Sequence, residues 1–347
     1  MSDIRYDLLH DDYALIAPER LRRPDCYKTG KKSSESEFSD RKKCPFCEGR
    51  EHLTPHEIFA IRDNDPDEPG WKTRVVPNLY KAVQIETPWQ SEEVGIYEKW
   101  SGFGAHEVVI DTPRHLTRMD DWSEEEYFNW LYTLRSRLND LKNDSRLVYI
   151  SLFKNHGHYG GATQSHPHTQ IIALAALPYR QRQLLLHAHN FYKSHGHSLF
   201  ESVLHMELDD KKRIVAENDI FAAICPYAST FTFETYIVCK KPHAFLNDLD
   251  DNGLEALADL LSQTIKALYR QVGDFDFNIL FNTPAMHKNA QTEDFFDDTD
   301  KMWRIGVRIL PRLYRLGGFE LSSGVKINPL DPDEAASLLR GSIKERE

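Results

Sequence analysis

The sequence predicts an α+β protein built from two tandem copies of one unit, each a mostly antiparallel sheet with a crossover helix. Three observations carry this. Short strand-like runs surround just two long amphipathic helical patterns, at 123–143 and 251–272. The second half repeats the order of elements found in the first. The local sequence repeats with it: VVIDTPRHLTRMDD before the first helix is matched by YIVCKKPHAFLNDLDD before the second, and LVYISLFKN by FDFNILFNT. Coincidence among amphipathic segments is the competing explanation. A chain of 347 residues suits two domains, here placed at 1–185 and 186–347.

In chain order, the polar stretch 28–43 reads as a loop, having almost no apolar residue to bury. Strands are expected at 73–76, 82–85, 107–111, 147–154 and 170–174. The first helix opens on Ser123 with Glu126 three residues on, the signature of a capping box. In the second half, strands are expected at 220–224 and 235–239, then the helix 251–272, then strands at 277–282 and 305–310.

Hydrophobic residues make up 40% and charged residues 28%, as in soluble globular proteins, and the net charge is −11. A general nucleic-acid binder is normally basic, so nucleic acid is not an expected partner. No apolar run approaches the roughly 20 residues that span a bilayer, and no membrane partner is expected. The first residues lack the basic and apolar regions of a signal peptide. Five cysteines, Cys26, Cys44, Cys47, Cys225 and Cys239, are an odd number, which points to a reducing cytoplasm.

The densest chemical signal is NHGHYGGATQSHPHTQIIAL, residues 155–174. In an extended segment side chains two apart share a face, so His166, His168 and Gln170 point the same way. Pro167 stiffens their placement. Gly157, Gly160 and Gly161 allow backbone to approach phosphate. One histidine can bind metal. The other can attack phosphorus, provided its second ring nitrogen donates to a fixed acceptor. Two surface loop histidines are the plainer explanation for an isolated H-x-H, but not for one flanked by Gly-Gly and by Gln plus an apolar strand. Cys44-Pro-Phe-Cys47 supplies two thiolates to one zinc, and histidines must complete the site: His166 first, then His106 or His115. A redox pair or two buried cysteines are the alternatives.

With these motifs the chain resembles the galactose-1-phosphate uridylyltransferase family of the histidine-triad superfamily. The resemblance rests on His166-Pro-His168-Thr-Gln170, on Cys44-Pro-Phe-Cys47, on YDLLHDDYALIAPERLRRP, VVPNLYKAV, GAHEVVIDTPRH and PYASTFTFETYIV, and on the C-terminal GGFELSSGVKINPLDPDEAASLLR. It implies two histidine-triad-like units, the second with a degenerate site. It implies His168 as nucleophile and Gln170 on the phosphoryl oxygens. Asn155 and Thr163 would line the phosphate pocket, with Arg20 and Arg23 as further phosphate contacts. Asn78 and the strand around Val108 would line the nucleotide pocket. Glu320 would hold the sugar phosphate, and Cys44, Cys47, His115 and His166 the zinc. It also implies a homodimer.

The chain departs from the family at several points. Thr163 stands where many members have Ser, and Leu79 replaces an acidic residue, a feature similar to ADP-glucose phosphorylases. Arg304 stands where some members have a second-metal histidine, so that second site is not expected, and Lys326 replaces a glutamine or aromatic. The histidine run His187, His189, His195, His197 and His205 reads as a solvated helix and loop. The reading is therefore a nucleotidyltransferase that moves a nucleoside monophosphate between a nucleotide sugar and a hexose 1-phosphate through His168. The alternatives are inorganic phosphate or water as acceptor, or a zinc-binding scaffold without catalysis.

Overall fold

The computed structural model describes residues 2–22, 41, 43–115 and 118–344. Its strands are β1 (Asp3–Asp7), β2 (Asp12–Ile16), β3 (Phe59–Ile61), β4 (Thr73–Pro77), β5 (Ser91–Val94), β6 (Tyr97–Trp100), β7 (Gly104–Ile110), β8 (Tyr149–His156), β9 (His168–Leu174), β10 (Ile214–Glu217), β11 (Phe221–Ile224), β12 (Thr235–Cys239), β13 (Phe277–Phe281), β14 (Gly306–Pro311) and β15 (Lys326–Asn328). Its helices are α1 (Glu124–Leu141), α2 (Tyr179–His195), α3 (Leu199–Asp210), α4 (Asp251–Val272), α5 (Thr299–Met302), α6 (Gly318–Ser323) and α7 (Pro332–Lys344).

Ten strands form one sheet in the order β10-β11-β12-β14-β13-β8-β9-β7-β4-β3, each pair antiparallel. The protein is thus mixed α+β with a large antiparallel sheet. The two expected half-sheets are one sheet, joined where β8 pairs with β13. A smaller sheet, β1-β2-β15, brings the two ends of the chain together, with β15 parallel to β2. The expected strand at 82–85 is not one. Gln84 makes only an isolated bridge to Phe103, just before β7, whose two edges are taken by β4 and β9. The expected loop at 28–43 lies almost wholly outside the described residues.

The long helices form where their sequences dictate. Ser123 accepts from the Glu126 N–H at 3.2 Å while the Glu126 carboxylate accepts from the Ser123 N–H at 2.9 Å, a capping box that starts α1. Tyr127, Trp130, Leu131, Leu134, Leu138 and Leu141 make its buried stripe. The α4 helix starts on Asp250, which accepts from the Gly253 N–H, and spans the 251–272 read from its period. The two helices pack against each other and share one continuous core. Trp130 of α1 meets Phe281 of β13 edge-on at 5.8 Å between ring centroids. Arg135 donates to the Leu249 carbonyl and to Asp251 at the start of α4. Among the described residues no helix is long and apolar enough to cross a membrane.

Strand alternation then sorts the side chains of the central strands. On β9, Thr169, Ile171 and Ala173 face the helices, and Thr169 accepts from Trp130 Nε1 at 2.9 Å. His168 and Gln170 therefore face the other way. On β7, Glu107 faces the helices, where it forms a bidentate pair with Arg137 of α1 at 2.7 and 2.8 Å, while His106 and Val108 share the face of Gln170.

The Glu107–Arg137 pair is almost fully buried, so removing one partner leaves a charge with no solvent. Arg137→Met is expected to destabilise the protein by about 3–5 kcal/mol, and Arg137→Met with Glu107→Leu by clearly less. Urea unfolding midpoints of the two variants check this.

Candidate active site and metal centre

Cys44 and Cys47 lie in a tight turn that Gly49 closes with φ +84°. Glu51 secures the turn: its Oε1 accepts from the Gly49 N–H at 3.1 Å and from Trp71 Nε1 at 2.7 Å. Behind it, buried Arg74 on β4 donates to Glu57 and Thr54, at 2.7 Å each, and to Asp67 at 2.5 Å. This holds the 51–67 segment against the sheet.

Opposite the turn stand His115, five residues past β7, and His166, two before β9. The four ligand atoms lie within 4.8 Å of one another. Cys44 Sγ is 3.7 Å from His166 Nδ1, Cys47 Sγ is 3.3 Å from His115 Nδ1 and 3.8 Å from His166 Nδ1, and the two Nδ1 atoms are 3.4 Å apart. A tetrahedral ion with bonds of about 2.3 Å to sulfur and about 2.0–2.1 Å to nitrogen sets its ligand atoms about 3.3–3.8 Å apart. The spacing therefore fits a small tetrahedral cation. The chemistry fits too. His166 Nε2 donates to the Thr112 carbonyl at 2.7 Å, which leaves Nδ1 with its lone pair toward the cluster. Burial lowers the His166 pKa to about 4, keeping the ring neutral. Burial pushes the Cys44 thiol up to about 11, the cost a bound cation would reverse.

The ring of His168 is oriented by its own chain. Its Nδ1 donates to the His166 carbonyl at 2.9 Å, so the lone pair sits on Nε2. Burial lowers its pKa, which keeps the ring neutral. Phe46, from the cysteine turn, lies 5.8 Å from the ring. Behind the ring, on the helix side, Lys154 of β8 and Asp111 pair at 2.6 Å, both essentially without solvent exposure. Lys154 Nζ also donates to the His168 carbonyl at 3.2 Å and lies 5.4 Å from the Trp122 ring.

Two carboxamides on the site face are held by other side chains. Gln170 Oε1 meets His106 Nε2 at 3.0 Å, and Asn78 Nδ2 lies 3.0 Å from the same nitrogen. Asn155 Oδ1 accepts from Asn278 Nδ2 at 2.8 Å, across the β8–β13 join. Asn278 Nδ2 also donates to the Gly160 carbonyl, and Asn278 Oδ1 accepts from Arg312 Nη1 at 2.8 Å. The Gly-rich turn needs its glycines. A Cβ on Gly157, at φ +73°, would sit 1.8 Å from Asp276 Oδ1, and one on Gly160 would sit 2.2 Å from the His156 carbonyl. Asp276 Oδ2 accepts from the Tyr159 N–H at 2.6 Å, so the second half grips the turn twice.

The structure thus brings Cys44, Cys47, His115 and His166 into one cluster, with His168, Gln170, Asn78 and Asn155 beside it. His106, the other metal candidate, points to Gln170 instead. Thr163 lies exposed on the Gly-rich loop. Glu320 accepts from the Gly317 N–H in the first turn of α6, holding its own helix. Arg20 sits in the turn Pro18–Arg22 after β2, and Arg23 lies outside the described residues. In the histidine run, His187 Nε2 meets the Leu8 carbonyl at 2.9 Å and His189 meets Asp298 at 3.2 Å. Sequence reasoning missed the Lys154–Asp111 pair and the Asn278–Arg312 support. A lysine at the helix-facing position of an apolar strand was a signal for the first. The second carries no local signal.

A sequence model of the galactose-1-phosphate uridyl transferase N-terminal domain matches residues 1–178. The ADP-glucose phosphorylase of Arabidopsis thaliana is 30% identical over 340 residues, 97% of this chain and 92% of that protein. The galactose-1-phosphate uridylyltransferase of Saccharomyces cerevisiae is 26% identical over 360 residues, 98% of this chain and 94% of its own. A crystal structure of an Arabidopsis ADP-glucose phosphorylase with bound ADP-glucose superposes with a TM-score of 0.80 at 26% identity, covering 98% of this chain and 99% of that one. The matched N-terminal domain, together with full-length relatives of both kinds, shows that the chain belongs to the galactose-1-phosphate uridylyltransferase family.

Proposed function

We propose that the protein transfers a nucleoside monophosphate from a nucleotide sugar to a hexose 1-phosphate through a covalent intermediate on His168. One observation carries this: the Nδ1–H of His168 is committed to the His166 carbonyl, so a buried, neutral ring presents its Nε2 lone pair. Nε2 attacks the α-phosphorus of the nucleotide sugar, a P–N bond forms, the P–O bond to the sugar 1-phosphate breaks, and that group leaves. An incoming phosphate oxygen then attacks the same phosphorus and His168 departs with its electron pair. The amide NH₂ groups of Gln170 and Asn155 donate to the phosphoryl oxygens, whose charge grows in each transition state. Asn78 and the strand around Val108 line the nucleotide pocket, Arg20, Arg23 and Thr163 serve the phosphates and Glu320 the sugar phosphate; for all of these the support is the family resemblance.

The cluster Cys44, Cys47, His115 and His166 suits zinc, which with four protein ligands would play a structural part and tie the cysteine turn to the H-P-H segment. The strand order also supports two tandem units, 1–185 and 186–347. The series β4-β7-β9-β8 in the first half is mirrored by β11-β12-β14-β13 in the second, with α1 and α4 in equivalent places. Aligning β7 with β12 through that repeat puts Gly306 and Arg308 at the places of His168 and Gln170, so the second unit carries no histidine at the nucleophile position. A homodimer would bury the β5–β6 hairpin, where Ile96 and Tyr97 stand 93% and 72% exposed. Free cysteines at 44, 47, 225 and 239 suit a reducing cytoplasm.

Inorganic phosphate as acceptor is the second reading. Leu79 follows Asn78 where an acid is common in uridylyltransferases, and the ADP-glucose phosphorylase relative covers almost the whole chain.

Incubation with UDP-glucose or ADP-glucose is expected to add one nucleoside monophosphate to the intact protein, as an acid-labile adduct read by mass. No adduct with any nucleotide sugar in a panel would end the proposal. Release of the adduct by glucose 1-phosphate, galactose 1-phosphate or inorganic phosphate separates the two readings. His168→Gly is expected to lower turnover about 10⁴-fold or more while keeping the fold and the metal. Added imidazole should restore part of it. His166→Gly is expected to lose metal and stability together, so equal metal loss in both variants would reverse the two assignments. Elemental analysis should find one zinc per chain, lost on Cys44→Ser or prolonged chelation with a fall in melting temperature.

A further inference from the structure

We propose that His106 is a positioning residue that fixes which end of the Gln170 carboxamide faces the reacting phosphoryl group. The inference rests on the role given to Gln170 above. His106 is nearly buried on β7, one diagonal step from Gln170 on β9. Its Nδ1 accepts the backbone N–H of Ala82 at 3.1 Å, and a nitrogen that accepts carries no proton. The ring hydrogen is therefore on Nε2. Two groups lie 3.0 Å from Nε2: Gln170 Oε1 and Asn78 Nδ2. Asn78 cannot take the hydrogen, because its Oδ1 already accepts the Tyr80 N–H at 2.8 Å and its NH₂ end faces the ring. The one acceptor left is Gln170 Oε1.

A flipped Gln170 would set its NH₂ group against the Nε2–H, two donors facing each other with no acceptor between them. The chain Ala82 N–H to His106 to Gln170 thus transmits the direction of a backbone donor to a side-chain amide. It leaves the two Gln170 N–H groups to donate away from the ring. The Asn78 N–H also donates to the His106 carbonyl at 2.8 Å, so the same residue anchors the loop that carries Asn78. An unheld carboxamide could present oxygen to a phosphoryl group, where its dipole would oppose the growing negative charge.

The test combines His106→Leu, His106→Gln and Gln170→Ala in the full-length protein. Leucine keeps bulk and removes the donor; glutamine can return an N–H near the Nε2 position. In the ligand-free protein labelled with ¹⁵N in glutamine side chains, the Gln170 amide pair, assigned by its loss in Gln170→Ala, should shift in His106→Leu and return towards its parental place in His106→Gln. An amide pair that ignores His106→Leu overturns the proposal, whether or not the protein turns over any nucleotide sugar. In the half-reaction with ADP-glucose or UDP-glucose, His106→Leu should slow adduct formation about 10–100-fold with KM changed no more than about threefold, and His106→Gln should recover most of the rate. In the Gln170→Ala background His106→Leu should cost less than about twofold, because the two residues act in series. An equal loss in both backgrounds also overturns it. A parental protein that forms no adduct would refute the proposed function, and the amide signals would still decide the positioning role.

Discussion

The hydrogen bond from His168 Nδ1 to the His166 carbonyl is the constraint on which the site depends. It joins the two histidines of H-P-H through backbone, so the ring proposed to accept the nucleotide is set by the same peptide that carries a member of the Cys2His2 cluster. The His166 ring is set in turn by the Thr112 carbonyl, and the Asp111 N–H donates to the Pro167 carbonyl. A proline between the histidines removes a competing donor and restricts φ. Both rings thus have one nitrogen engaged by main chain and the other free for chemistry, and neither depends on a mobile side chain for its tautomer.

Around this segment the protein accepts buried charge. The Lys154–Asp111 pair lies between sheet and helices with almost no solvent, a placement that costs desolvation on both sides. What it provides is a strong donor aimed at the His168 carbonyl and a cation beside the Trp122 ring. A positive charge behind the ring also disfavours its protonation. The Glu107–Arg137 pair does similar work one step along the sheet, tying β7 to α1.

The continuous ten-stranded sheet explains how the second half of the chain reaches the candidate site. Asn278 and Asp276 reach across the β8–β13 join to orient Asn155 and to grip the Gly-rich turn, and Arg312 holds Asn278 from behind. Support from packed strands is more exact than support from loops, because each strand's side chains are fixed by register on both sides. The first half supplies the groups proposed to react, and the second supplies their rigid backing.

Local pattern determined much of this. The α4 helix shows its bounds in its apolar period and its Asp250 cap, and α1 in Ser123 and Glu126, because helix signals are held within a few residues. The H-P-H-T-Q segment and the C-P-F-C turn announce themselves by composition, since nothing in a plain strand or loop requires them. Tertiary structure decided the rest. Residue spacing alone left His106 and His115 both open and the family resemblance favoured His115; the register of β7 against β9 turns His106 toward Gln170 and leaves His115 facing Cys47. The short strand β15 finds its partner β2 at the other end of the chain, Lys326 opposite Ala14, which no local period can signal. Asn278 and Arg312 look like ordinary polar residues until β13 pairs with β8. A side chain's partner across a sheet is set by the strand that arrives beside it, and that is a property of the whole fold.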